Sequence, residues 1–134
     1  GAAAQPEVSE KPIHLVKLKN QWVADAPVDK VMNHMSADLS QLGWIVKDAD
    51  TAAQRIAVEY KVPEGSLFDA LAIWKPLAPN YEGLSSGSYV FQLHQMDKGT
   101  QIELQTASQQ AVPAGVAEQV YKALAKKLLM INKK

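Results

Sequence analysis

Ser88-Tyr89-Val90-Phe91-Gln92-Leu93-His94-Gln95-Met96, followed by Asp97-Lys98-Gly99 and then Thr100-Gln101-Ile102-Glu103-Leu104-Gln105-Thr106, is the stretch whose pattern decides the fold. Tyr89, Phe91 and Leu93 alternate with Ser88, Val90, Gln92 and His94, the period of two that sends successive side chains to opposite faces of a strand. Asp97-Lys98-Gly99 reverses the chain, and Ile102 and Leu104 share one face of the returning strand. The stretch is an antiparallel hairpin. Further upstream, Ile56, Val58 and Tyr60 share a face over residues 54–60, and a polar turn region over 48–53 joins this strand to another starting at Trp44, giving a second hairpin.

Further out the period changes to helical. Val28, Val31, Met32, Met35, Leu39 and Leu42 recur at three- and four-residue spacings, with Asp25 and Pro27 to open the helix and Gly43 to close it. Val116, Val120, Leu124, Leu128 and Ile131 repeat the pattern after Pro113, which opens a final helix beyond a short polar loop over 107–112. A short strand with mixed faces precedes everything, with Ile13 and Leu15 opposite His14, Val16 and Leu18. Residues 62–86 carry three prolines and two glycines, but also Leu67, Phe68, Leu71, Ile73, Trp74 and Leu77. That apolar bulk predicts packing, with a short helical turn over 66–74 in which Ser66 and Asp69 form a capping box with the shorter acid. The order β-α-β-β-(loop)-β-β-α predicts an α+β domain, an antiparallel sheet packed against two helices. Residues 1–12 read as a flexible N-terminal segment or an expression scar, and 13–134 as a single domain.

Composition removes whole classes of function. The chain has 134 residues, 14 Lys+Arg against 14 Asp+Glu, three His and no Cys. Without sulfur ligands there is no disulfide framework, thiolate zinc site, iron–sulfur cluster or cysteine nucleophile. Zero net charge with a single arginine, Arg55, supplies no field to attract nucleic acid. No window approaches the roughly 20 apolar residues that a bilayer-crossing helix requires.

Chemistry-bearing constellations are equally sparse. His14, His34 and His94 have no ligand spacing and read as surface or strand-face side chains, so no metal and no cofactor is expected. Leu84-Ser85-Ser86-Gly87-Ser88 lacks both the nucleophile elbow and the Lys-Ser/Thr ending of a phosphate loop, and Gly83 and Gly87 among serines are turn chemistry. The carboxylates are scattered through turns and polar strand positions, and no catalytic residue is assigned. Lys122, Lys126 and Lys127 make the final helix locally basic, a candidate surface for an acidic partner or lipid headgroups, though lysines there also complement the helix dipole. Trp44, at a strand start, reads as core. Phe68, Trp74 and Tyr81, in the long connection, are candidate partner-binding anchors.

Several pieces in order resemble a known family. Ile56-Ala57-Val58-Glu59-Tyr60-Lys61, then Gly83-Leu84-Ser85-Ser86-Gly87-Ser88-Tyr89-Val90-Phe91-Gln92-Leu93, then the hairpin over 96–104 are similar to the C-terminal helix-grip domain of the BamC (NlpB) lipoprotein family. The first helix ending in Leu42-Gly43-Trp44 and the last helix through Leu128 take the corresponding places. The resemblance implies a helix-grip-like α+β fold and a non-enzymatic protein-interaction domain, accessory to the machinery that assembles β-barrel outer-membrane proteins. It implies a periplasm-facing protein of a Gram-negative outer membrane, associated through a lipid anchor that these residues do not carry, with components of the assembly complex as partners. Two other classes stay open. A small-molecule or lipid carrier would use a cavity between the sheet and the C-terminal helix, and an enzyme would need His34 or His94 to meet two carboxylates in one pocket.

Overall fold

The computed structural model describes residues 12–62 and 81–130. The expectations placed on residues 1–11, on the helical turn over 66–74 and on Ile131 lie outside them. The elements among these residues are β1 (Leu15–Leu18), β2 (Gln21–Ala24), α1 (Val28–Gln41), β3 (Ile45–Asp50), β4 (Arg55–Tyr60), β5 (Gly87–Met96), β6 (Gly99–Thr106) and α2 (Ala114–Leu129). All six strands form one antiparallel sheet in the order β1-β2-β6-β5-β4-β3. The α+β class and the two helices are as the sequence predicts.

The register follows from the alternation. Phe91 pairs with Leu104 and Leu93 with Ile102 across β5 and β6, while Ile56 and Val58 of β4 face Phe91 and Tyr89. Because side chains alternate across a strand, this registry collects the apolar set on one face, and both helices cover it. Phe91, Leu93, Ile56, Met35, Leu39 and Leu124 are fully buried there, each stabilising the fold by about 1.5–3 kcal/mol relative to an exposed side chain.

Three expectations are corrected. The chain from Gln21 to Ala24 is a second strand, so the order among the described residues is β-β-α-β-β-β-β-α, and β2 joins the N-terminal hairpin to β6. Its turn is Lys19-Asn20, with Lys19 itself at φ 61°, so none of the usual glycine punctuation announces it. Next, β3 continues through Asp48 to Asp50, where a turn region is expected. It is an edge strand, exposed apart from half-buried Val46 and bulged between Val46 and Asp48, and charge on such an edge discourages pairing with other chains. Last, Asp25 does not cap α1. Its carboxylate accepts a bond from the His14 backbone N–H at 2.7 Å and meets His14 Nδ1 at 3.0 Å. The first amide of α1 instead donates to Gln95 Oε1 of β5: Val28 N–H is satisfied across the fold at 2.9 Å.

The other end of α1 stops as Leu42-Gly43-Trp44 predicts. Gly43 sits at φ 95°, its N–H reaches the Ser40 carbonyl, and the Trp44 N–H reaches back to Leu39. These are the paired bonds of a Schellman motif, and they deliver Trp44 into the core at 2% exposure. Beyond the last turn of the sheet, Pro113 starts α2, whose Ala117, Val120, Tyr121, Leu124 and Leu128 are buried. The Ile13 N–H bonds the Leu128 carbonyl at 3.1 Å, bringing the start of the described chain to the end of α2.

Candidate functional site

The carrier reading requires room between the sheet and α2. Along the middle of that layer Val120, Leu124, Phe91 and Leu93 are all fully buried, so core side chains occupy the space. Depressions open instead beside either half of the helix. Near its start, a cleft of about 290 Å³ is lined by Trp22 and Tyr121, whose ring centroids lie 5.3 Å apart, and is crossed by the Lys17–Glu118 ion pair.

Along the second half of α2 runs a groove of about 530 Å³. Tyr81, Lys122, Lys126 and Lys127 line it, so the fold brings together four side chains that the sequence singles out on separate grounds. Leu42, from the end of α1, and Met130 add apolar wall. Lys122 and Lys126 are exposed one helical turn apart, and Lys127 donates to Gln41 Oε1 at 2.7 Å, holding α2 to α1. No acidic side chain occurs among the described lining residues, so the rim is positive over an apolar floor.

Tyr81 is a core residue where an exposed anchor is expected. It is 3% exposed, with its ring 5.9 Å from Trp44 and 5.6 Å from Tyr60, in a cluster that also holds Tyr89 and Phe91 against Trp44. Burial pushes its phenol up from the ordinary tyrosine value. The segment that carries Tyr81 is clasped to α2. Gln119 Oε1 accepts from the Glu82 N–H at 2.9 Å and Gln119 Nε2 donates to the Glu82 carbonyl at 2.8 Å. Gly83 follows at φ +89°, so close to the helix that a Cβ there would lie 2.9 Å from Val116 Cγ2. Phe68 and Trp74 lie outside the described residues.

Close enough to Lys127 to feel its charge is Asp38, half-buried on α1 with one carboxylate oxygen lacking a hydrogen bond. Burial raises its pKa above the usual carboxylate value, while the charges of His34 and Lys127 pull it down. The other two histidines are elsewhere: His14 is bound to Asp25, and His94 is exposed on β5. Among the described residues no group of three or more His, Asp or Glu is gathered as a metal ion would need.

Sequence reasoning missed Leu42, Gln119, Ala123 and Met130 as groove residues. Periodicity assigns Leu42 to the apolar stripe of α1, Met130 falls off the stripe of α2, and nothing local marks Gln119 as a clasp. The signal that was available is the basic face of α2, and it identified one wall.

The chain matches the family described as outer membrane protein assembly factor BamC-like C-terminal domain over residues 16–128, from β1 to the last turn of α2. A comparison with curated proteins gave no match. Every strand and both helices fall within or overlap the matched span, and the chain belongs to this BamC-like C-terminal domain family.

Proposed function

We propose that this domain is a non-enzymatic protein-interaction module of an outer-membrane lipoprotein, accessory to the machinery that assembles β-barrel outer-membrane proteins. In this reading it faces the periplasm, is held to the membrane by a lipid anchor, and works by contacting protein components of the assembly complex. The observation that carries the reading is the family match across residues 16–128, since that family is described as an outer-membrane protein assembly factor. The groove beside α2 supplies a surface for it, and Phe68 and Trp74, read from the sequence as apolar anchors, belong to the same proposal.

The test uses the full-length protein in its source organism, with a photo-crosslinking residue at position 126 and, as a control, at position 97 in the β5–β6 turn. Intact outer membranes should give adducts with barrel-assembly components from position 126 and not from 97. No such adduct from 126 counts against the reading, as does a mature N-terminus that carries no lipid by mass spectrometry.

A further inference from the structure

Lys122 has a natural partner that it does not use. Glu118 precedes it by four residues on α2, the spacing and order at which a glutamate and a lysine attract best on a helix. Yet the Glu118 carboxylate turns to Lys17 of β1, at 3.6 Å. Lys122 is thereby left without a carboxylate partner among the described residues, as is Lys126; both are exposed and both stand on the rim of the same groove. Below them the floor is apolar and recessed, formed by half-buried Leu42 and Ala123 with buried Tyr81.

The shape selects among anionic occupants. A bilayer surface cannot reach the recessed floor, and would meet only Leu129 and Met130 protruding at the end of the helix, fewer apolar side chains than an interfacial face presents. A single acyl chain needs most of its surface enclosed, and this groove is open to solvent along its length. A protein segment fits both demands, placing an apolar side chain on the floor while its carboxylates meet the rim. Charge on both sides then steers encounter and fixes register.

We propose that the groove binds a short acidic amphipathic segment of a partner protein, with an apolar side chain seated between Leu42, Tyr81 and Ala123 and flanking carboxylates paired with Lys122 and Lys126. The two lysines stand about 6 Å apart at their Cβ atoms, a separation matched by Asp or Glu at i and i+4 of a helix. The inference rests on the interaction-module reading and adds to it the chemistry of the partner.

The experiment titrates the isotope-labelled 134-residue chain with a synthetic amphipathic helix bearing Leu on one stripe and Glu at i and i+4. The same peptide with Lys in place of Glu, and phosphatidylglycerol vesicles, serve as comparisons. The Glu peptide should shift the signals of Leu42, Ala123 and Met130, and binding should weaken as salt rises. Lys122→Glu with Lys126→Glu should lower affinity about tenfold. Equal binding of the Lys peptide, shifts confined to other surfaces, no shift at all, or these shifts produced by the vesicles and not by the peptide would each overturn the inference. Crosslinks from position 126 to assembly components with no response to the Glu peptide would remove this inference and leave the proposed function standing.

Discussion

Lys17 of β1 and Glu118 of α2 form an ion pair at 3.6 Å that joins the first strand of the sheet to the last helix. Both side chains are partly exposed, so the pair contributes at most about 1 kcal/mol to stability. Its larger effect is on charge placement. With Lys17→Ala, Glu118 is free to pair with Lys122 one turn on, and the groove rim loses part of its positive charge. The midpoint of urea unfolding should barely move, while affinity for the acidic peptide should fall about twofold. An unchanged affinity alongside an unchanged midpoint would show that Glu118 does not reach Lys122.

The clasp of Gln119 on Glu82 predicts a separable effect. Gln119→Ala removes two hydrogen bonds at an exposed site and should cost about 1 kcal/mol by urea denaturation. Amide exchange should accelerate at Glu82 and Leu84 and not in β5.

At Gly99 the fold has no tolerance for a side chain. Its φ is +140°, and a Cβ would collide with the backbone carbonyl of Ala24, where β2 joins β6. Gly99→Ala should destabilise by more than about 2 kcal/mol, read as a lowered thermal midpoint, whereas Asp97→Ala in the same turn should stay within about 0.5 kcal/mol.

The amide of Gln95 reaches the start of α1 from β5 and bonds Gly99 as well. Its oxygen accepts from Val28 N–H at 2.9 Å and its nitrogen donates to the Gly99 carbonyl at 2.9 Å. Gln95→Ala should cost about 1 kcal/mol, typical for loss of a helix cap, with amide exchange at Val28 and Asp29 rising first. A loss no larger than that of an ordinary surface substitution would mean that water replaces the cap without penalty.

Asp38 predicts a dependence on pH. Its raised pKa means the folded state holds the proton more tightly than the unfolded chain. The linked stability is present below the ordinary carboxylate pKa of about 4 and is lost as pH rises through the folded value. At neutral pH the carboxylate is therefore charged at a cost, and Asp38→Asn should raise stability there, with the gain shrinking as the solution is acidified. Denaturation curves of both proteins between pH 3 and 7 check the sign. A gain that grows on acidification would show that the charges of His34 and Lys127 outweigh burial.

What the sequence made legible was whatever its own neighbours determine. The β5–β6 hairpin was readable because alternation and the Asp97-Lys98-Gly99 turn agree, and the end of α1 because Leu42-Gly43-Trp44 encodes a complete stop signal. β2 was not readable, since it spans four residues, only Trp22 and Ala24 face the helices, and Lys19 takes a positive φ that its identity does not advertise. Asp25 misled for a related reason: it has the chemistry of a cap, but His14 across the β1–β2 ladder claims it. The groove was half legible. Lysines on α2 appear in the local pattern, but Leu42 and Tyr81 join them only through long-range packing.

The bond from Ile13 N–H to the Leu128 carbonyl has a topological consequence. The first and last of the described residues therefore lie at neighbouring points of the fold. A short peptide could join residue 130 to residue 12, and new ends could open in the exposed turn at 51–52 without cutting any strand ladder. Chain order is thus a weaker requirement of this architecture than the sheet order that places β2 beside β6.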